Sequence, residues 1–515
     1  MRLINRSLYV TFYINIFILF SLIYFHFFQV VVKANNTKDE LRIVSQHAPR
    51  SLGIPYTSNG RPSMYYWRAI YDTLTEIDVN DQLSPSLAVS WNLKSPLVWE
   101  FKIRNDVFFS NGNKFNTDSI IATFSWLIDT LEGQSTLWGR EVRTIEKVYS
   151  GGNNLVLFKT RSPDPILPKR LSGVFILPKY AFNDLNKFSL SPIGTGSFFI
   201  KSWRNRRGQT AMLSADKSWR PASFNKLTFI PAANDVSRVQ ALFSNQADLD
   251  PNVAIELLPD IIDYGLEVTK IRMGAVQSFM FRTVGNESSP VNNVKVRQAI
   301  NYAVRKDLLS ELISNQGEPT GQSAPSFVYG YNPDVFPYPY DPDKARKLLQ
   351  EAGYSKNNPI NLTLTVSTSE LTMSLFAQRI VQDLAEVGIS IKLIPTSGIQ
   401  WLQMYNNSTF KSDLFNLSWN SSPFLDSSRP LEYTSCLRYK PFFCDKAIMP
   451  LIEGAQTELN NAKRLNLLQS AQEMINIRAP AIFLFEYIIY SASNNRVKDV
   501  PFRLTVPAYD LIRLN

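Results

Sequence analysis

The most restrictive feature of the sequence is a strand–helix–strand pattern in its C-terminal half. Residues 362–366 alternate apolar and polar side chains, residues 376–387 are amphipathic with helical spacing, and residues 389–394 alternate again after Gly388. A strand, a helix and a strand at this spacing are typical of a βαβ unit. The pattern therefore predicts an α/β fold.

Other periodic segments extend this prediction. Residues 97–104 alternate as a half-buried strand does, and apolar side chains recur at helical spacing over residues 296–313. Asp341 and Pro342 are typical of a helix start, and Gly353 is typical of the end of that helix. At about 150 residues per domain, the 515 residues suggest two to four domains. We therefore expect a multi-domain α/β chain.

The N-terminus has the parts of an export signal. Arg2 and Arg6 supply positive charge, residues 8–32 are strongly apolar, and the stretch ends in Val-Lys-Ala before polar residues. We predict that residues 1–34 are a signal peptide cleaved after Ala34. The apolar stretch of about 25 residues is also long enough to span a bilayer, so a retained membrane anchor is the alternative.

Histidine is scarce, with only His26 and His47 in the chain. His26 falls in the apolar N-terminal stretch, so the exported chain keeps only His47 and cannot build a multi-His metal site or catalytic centre. A secreted hydrolase would need His47 as its base, and no Gly-x-Ser-x-Gly elbow accompanies any serine. We expect no enzyme and no cofactor. The net charge of +10 is scattered, and its densest cluster, residues 204–207, is interpreted as a solvated hairpin, so we expect no nucleic-acid partner.

The two cysteines of the chain, Cys436 and Cys444, lie close together in sequence. Export would place them in an oxidising compartment, where a disulfide persists. Pro441 favours a turn between them. We predict a disulfide that closes this short loop, and no metal site, because no histidine lies nearby.

A series of different short motifs extends along nearly the whole exported chain. Each motif alone is weak, but the ordered set is highly specific. The motifs are residues 70–75, 83–91, 99–104, 107–112, 117–119, 194–196, 296–303, 340–354 and 479–482, with Trp401 and Trp419. In this order they resemble the periplasmic solute-binding proteins of peptide-type ABC importers (family 5), which include oligopeptide, dipeptide and nickel binders.

The resemblance implies an α/β fold of the two-lobed clamshell type (class II, cluster C) with an extra decorating domain. The implied domains are domain I (35–74, 191–283 and 488–515), the decorating domain II (75–190) and the opposing lobe, domain III (284–487). A peptide or peptide-like solute would bind between the lobes, and the closed monomer would deliver it to ABC permease and ATPase subunits at the membrane. Closure of the hinge would follow the higher affinity of the closed state for the solute.

The resemblance also indicates ligand contacts. They are polar or aromatic loop residues where the family places its cleft: Tyr56, Thr57, Ser58 and Asn59 on one lobe, and Ser367, Thr368, Ser369, Trp419, Asn420, Ser422 and Asp426 on the other.

One position departs from the family pattern. In peptide-binding members the ligand ammonium commonly pairs with an Asp three residues after a Trp, and here Trp419 is followed at that spacing by Ser422. A serine hydroxyl carries no charge and cannot supply a charge-assisted bond. Asp426 is the nearest acid that could replace it, and a structural role in the loop is the alternative.

Because Ser422 replaces the usual Asp, the sequence does not decide the chemical class of the solute. Besides an oligopeptide held differently, a modified peptide or amino acid, a sugar derivative or haem is compatible with the site, and a periplasmic peptide-holding chaperone would use the same cleft without a permease. Nickel is disfavoured because a single histidine leaves little to hold a metal complex.

Overall fold

The computed structural model describes residues 39–49, 51–56, 60–203, 208–313, 317–355, 357–369 and 371–515. The chain divides into Met1–Glu40 and one compact unit, Leu41–Asn515, which holds the fold and the site. The predicted signal peptide (1–34) and the predicted hairpin (204–207) lie outside the described residues. None of the helices in the described ranges has the length and apolar character that a membrane crossing requires.

The secondary structure of the described residues is mixed. Strands β1–β20 are Glu40–Ser45, Thr75–Ile77, Leu83–Pro85, Ala88–Ser95, Val98–Ile103, Ile145–Gly152, Leu155–Thr160, Phe198–Trp203, Thr210–Ser214, Lys226–Pro231, Leu249–Val253, Glu267–Phe281, Ile360–Ser367, Ile389–Thr396, Leu414–Asn420, Ala481–Ser493, Val497–Lys498, Phe502–Arg503, Val506–Pro507 and Arg513–Leu514. Helices α1–α16 are Ser63–Ile70, Thr117–Asp129, Leu131–Ser135, Leu137–Glu141, Leu167–Arg170, Leu185–Leu190, Asp235–Phe243, Leu258–Asp263, Val294–Ala303, Lys306–Glu311, Pro342–Glu351, Leu371–Ala385, Gly398–Asn407, Ser428–Tyr433, Met449–Thr457 and Asn461–Arg478. Short 3₁₀ helices lie at Lys179–Asn183, Ile255–Leu257 and Pro290–Asn292.

The largest sheet has ten strands in the order β14-β13-β15-β12-β16-β11-β1-β10-β9-β8. Its two central strands are long, with 15 residues in β12 and 13 in β16. They pair with each other on both sides of a register shift between Arg272 and Val276. Gly274 lies in this shift with φ +68°, and a Cβ there would come within 2.8 Å of Leu425 Cδ2. The two strands therefore connect two halves of the sheet, β14-β13-β15 and β11-β1-β10-β9-β8. They do so through a kink at Gly274 that requires glycine.

The predicted βαβ unit is confirmed. Strands β13 and β14 pair in parallel from Ile360 to Ser367, and α12 connects them. β13 also pairs in parallel with β15. The carboxyl ends of these strands therefore meet at one edge of the sheet, the usual place for ligands in α/β proteins.

The predicted helix over residues 296–313 is wrong in one respect, because the structure has two helices there, α9 and α10. The chain is extended at Val304. The Arg305 amide donates to Asp383 Oδ2 at 2.9 Å instead of continuing the helix. The predicted helix start at Pro342 is confirmed, with the Asp341 side chain accepting a hydrogen bond from the Lys344 amide.

A second sheet of four antiparallel strands, β4-β5-β7-β6, belongs to the N-terminal part of the chain. Its apolar side chains merge with those around β1 and β10 in one large core. Within the described chain, Phe424 is the one member of this core that comes from residues 250–496. The boundaries given for domains I, II and III stay a prediction.

Candidate functional site

The loop at residues 421–427, which follows β15, links distant parts of the chain. Ser421 N–H donates to Gly274 O in the β12 kink at 2.8 Å. Phe424 is fully buried with its ring centroid 6.3 Å from that of Trp138 on α4, and the Arg170 and Arg429 guanidinium groups lie 5.7 Å from its ring. Residues of β12, α4, α5 and α14 therefore meet at this loop.

A buried carboxylate next to the loop reinforces this contact. α4 begins at the Thr136 cap, whose hydroxyl accepts from the Gly139 amide, and the helix carries Glu141 into the interior. Glu141 Oε1 accepts from Arg429 Nε at 2.8 Å and from the Tyr433 hydroxyl at 3.1 Å, both on α14. Burial lowers the pKa of Arg429, but the charges of Glu141 and Tyr433 and the hydrogen bond to Glu141 together raise it above its ordinary value. This ion pair stays buried only while α4 and α14 are in contact.

Asp426 is fully buried and already has cationic partners. Its carboxylate accepts from Arg464 Nη1 at 2.9 Å and Nη2 at 2.7 Å, from the Ser428 hydroxyl at 2.7 Å, and from Lys169 Nζ at 3.4 Å. Burial alone would raise the pKa of Asp426, but the charges of Arg464 and Lys169 hold it well below its ordinary value. A ligand ammonium would have to compete with these bonds. The geometry favours the structural alternative for Asp426, and its role as a ligand contact stays a prediction.

Asn420 and Ser422 lie together at the carboxyl end of β15. Both are half-buried, and the Ser422 amide donates to Asn420 Oδ1 at 2.7 Å. The Asn420 carbonyl accepts from Arg429 Nη1 at 2.7 Å. The charged group next to this pair is Arg429, whose charge is already paired with Glu141, so the described residues beside Ser422 offer a ligand ammonium no free carboxylate.

The second predicted group, Ser367–Ser369, lies at the carboxyl end of β13. Ser367 is buried, and its amide donates to Asn416 Oδ1 on β15 at 3.0 Å. Its hydroxyl oxygen lies 2.8 Å from that of Ser369. Thr368 and Ser369 are exposed, and the Thr368 amide donates to Thr396 O at 2.9 Å. These hydroxyls lie at the strand edge that the sequence predicted.

Two predicted aromatic contacts are covered by the protein. Tyr56 packs in the large core and its hydroxyl donates to Phe175 O at 3.0 Å. Trp419 packs 5.1 Å from Phe483 in a second core, and its indole N–H has no partner among the described residues. Neither side chain lies on a surface that a solute reaches in this structure. Thr57, Ser58 and Asn59 lie outside the described residues.

Sequence reasoning missed Glu141, Arg429 and a further cation, Arg61. Arg61 precedes α1; its Nη1 donates to Asn252 Oδ1 at 2.5 Å and its Nη2 lies 3.4 Å from Met273 Sδ in the β12 kink. The contacts of these residues join segments far apart in sequence, so periodicity gave no signal for them. The position of Arg61, two residues after the predicted loop Tyr56–Asn59, was the one available hint.

The predicted disulfide is present, and it fixes the loop between residues 436 and 444. Cys436 Sγ and Cys444 Sγ are bonded at 2.16 Å, and the loop packs on α13 through Arg438, which donates to Tyr405 O at 2.7 Å. Within the described ranges there is no group of three or more His, Cys, Asp or Glu side chains arranged to hold a metal ion.

Comparison with known proteins decides the family. The sequence profile of the bacterial extracellular solute-binding proteins, family 5 middle region, matches residues 82–439. The chain belongs to solute-binding protein family 5. The predicted resemblance is therefore confirmed.

Family 5 relatives match most of the chain. The glutathione-binding protein GsiB of Pectobacterium atrosepticum is 24% identical over 86% of this chain and 88% of its own length. The heme-binding protein A of Haemophilus influenzae is 24% identical over 83% of this chain and 84% of its own length.

A solved family 5 structure agrees with the fold. The ABC transporter-associated periplasmic binding protein DppA of Helicobacter pylori, in complex with the peptide STSA, superposes with a TM-score of 0.77 at 21% identity and covers 94% of this chain and 100% of that one. The predicted two-lobed α/β fold is confirmed.

Proposed function

We propose that this family 5 chain is the periplasmic substrate-binding component of an ABC importer, and that it captures a peptide or peptide-like solute between its lobes for delivery to a membrane permease. The observation that carries the proposal is the family 5 match over residues 82–439. The similarity in fold to a peptide-bound, transporter-associated periplasmic protein supports the same assignment. Export by a cleaved signal peptide is part of the proposal.

The connection between the two halves of the sheet supports this function. Strands β12 and β16 pass from one half to the other, so bending at the Gly274 kink would open and close the space between the halves. The Glu141–Arg429 pair joins α4 to α14, and Phe424 packs on Trp138 of α4, so these contacts are buried only while α4 lies against α14 and the 421–427 loop. A solute that contacts both halves would stabilise that closed state by its differential affinity.

The charges near the 421–427 loop restrict which solutes can bind. Ser422 is uncharged, the neighbouring Asn420 carbonyl is bound to Arg429, and Asp426 is bound to Arg464. The described residues around Ser422 therefore offer a ligand ammonium no carboxylate without a cationic partner. This arrangement favours peptides held through their main chain, or modified peptides, over dipeptides anchored by a free amine.

Haem is the second candidate, and the similarity to heme-binding protein A favours it. The two candidates separate in one experiment with the exported protein, purified from the periplasm and refolded to remove bound solute. Equilibrium dialysis against a tetrapeptide library, and separately against haemin, would measure which is retained. We expect peptides to be retained; retention of haemin alone would establish the second candidate, and retention of neither would contradict both.

A further inference from the structure

Arg61, which lies just before α1, is a cation without an acidic partner among the described residues. It is half-buried, and within the described residues no carboxylate oxygen lies within 4.0 Å of its guanidinium group. Its contacts are the Asn252 side-chain oxygen, the Met273 sulfur and the Tyr65 hydroxyl. All three groups are neutral, so none of them pairs with the positive charge of Arg61. A half-buried guanidinium group in that state is suited to bind an anion.

Hydrogen-bond donors around Arg61 exceed the acceptors. The Tyr65 side chain is 2% exposed, and its buried hydroxyl lies beside the Arg61 guanidinium group with no acceptor for its own proton among the described residues. Burial raises the pKa of Tyr65 to about 12, and the nearby charge of Arg61 opposes that rise, so the phenol is a neutral donor beside the guanidinium group. The Asn252 side-chain oxygen accepts from Arg61, so the side-chain nitrogen, Nδ2, is a third donor.

The nearby acid does not supply the missing acceptor. Asp250 is buried next to Tyr65, but its carboxylate accepts from Arg238 Nε at 3.2 Å and from the Asn252 amide at 3.0 Å. Arg238 also pairs with Asp235 at the start of α7. Asp250 is therefore the ion-pair partner of Arg238, and Arg61 has no carboxylate partner among the described residues.

The position of Arg61 places these donors at the candidate cleft. Met273, which contacts Arg61, is followed by Gly274, and the Gly274 carbonyl accepts from Ser421 in the 421–427 loop. Arg61 and Ser422 therefore flank the same β12 kink, one from each half of the sheet. A solute lying against the kink would contact both.

We propose that Arg61, with Asn252 and Tyr65, forms a carboxylate-binding subsite that receives the C-terminal carboxylate of a bound peptide. The inference rests on the proposed function. It makes the carboxylate, and not the ammonium, the charged group by which this protein holds its solute. A guanidinium group and a neutral O–H donor match a carboxylate in charge and in geometry.

The test compares two forms of one synthetic tetrapeptide library without Asp or Glu, one with a free C-terminal carboxylate and one amidated. The exported, refolded protein is dialysed against each library, and retained peptides are quantified by mass spectrometry. The variants are Arg61→Gln and a matched control, Arg346→Gln, which removes one exposed arginine on α11. Circular dichroism verifies that each variant is folded.

We expect the wild-type protein to retain the acid library at least about tenfold better than the amide library, the ratio set by one charge-assisted bond. Arg61→Gln should lose that preference and keep its amide retention, and Arg346→Gln should match the wild type. A wild-type protein without acid preference would overturn the inference and leave the proposed function standing, as would an Arg61→Gln variant that loses both libraries equally or neither. Retention of neither library by the wild type would contradict the proposed function for peptides, and the inference with it.

Discussion

Replacing Asp426 with asparagine separates its structural role from a role in ligand binding. The carboxylate of this fully buried residue forms two bonds with the Arg464 guanidinium, which is itself 3% exposed. Asp426→Asn keeps the shape of the side chain and removes its charge. The positive charge of Arg464 then stays buried without its partner.

The size of the effect follows from the burial of both groups. Removing one partner of a buried, hydrogen-bonded ion pair costs about 3–5 kcal/mol, because the other charge is left uncompensated. The contact with Lys169 is longer, at 3.4 Å, and contributes less than the contact with Arg464. We therefore expect Asp426→Asn to lower the free energy of unfolding by about 3–5 kcal/mol. Arg464→Met in the same background should restore part of the loss, because no guanidinium charge then remains buried.

The same interaction gives a pH dependence. Burial raises the pKa of Asp426, but Arg464 and Lys169 lower it more, so folding brings it below its ordinary value of 3.8. A carboxylate with a depressed pKa contributes stability that is fully present above the unfolded pKa of about 4 and is lost as the pH falls below it. The difference in unfolding free energy between the wild type and Asp426→Asn should therefore be constant from pH 5 to 8 and shrink below about pH 4.

Urea unfolding followed by circular dichroism measures these differences. The matched control is Asp343→Asn, since the Asp343 side chain is 93% exposed and pairs only with an exposed arginine on its own helix. The control should unfold with the wild type. An Asp426→Asn variant that also unfolds with the wild type would refute the reasoning, because Asp426 would then be free to bind a ligand.

Three further predictions use other parts of the structure. Ser422→Asp should add the carboxylate that a ligand ammonium lacks there and strengthen binding of free-amine tetrapeptides at least about tenfold in equilibrium dialysis, while Ser422→Asn does not; no gain in a folded variant would contradict the position that the family resemblance gives Ser422. Trp138→Phe should remove most of the solute-induced change in tryptophan fluorescence, because Trp138 packs on Phe424 of the 421–427 loop, and Trp419→Phe should keep it; the reverse pattern would mean that Trp419 borders the solute. Replacing Cys436 and Cys444 by serine should lower the free energy of unfolding by about 2–3 kcal/mol, the loop-closure value for this short loop, and an unchanged urea midpoint would contradict it.

The fold predictions that the structure confirms came from side-chain periodicity within contiguous segments. The βαβ unit of β13, α12 and β14 is contiguous in sequence, so side-chain periodicity was enough to predict it. The break between α9 and α10 was not predictable in that way, because the Arg305 amide bonds to Asp383, 78 residues away. The order of the ten-stranded sheet depends on similarly distant pairings, such as β1 with β11.

The candidate site shows the same division. The motif around Trp419 located Asn420 and Ser422, which lie together at the carboxyl end of β15. The sequence could not show that the Trp419 ring points into a core, because a buried strand has apolar side chains on both faces. It also could not show that Glu141 meets Arg429, which lies 288 residues further along the chain.

The most direct test of the account is the identity of the solute that the native protein carries. The full chain is exported and purified from the periplasm without refolding, then denatured, and the released small molecules are identified by mass spectrometry against a mock purification. The account predicts a peptide or peptide-like solute with a carboxylate group, in amounts close to one per protein. Release of haem, or of a solute that lacks any peptide bond, would contradict it.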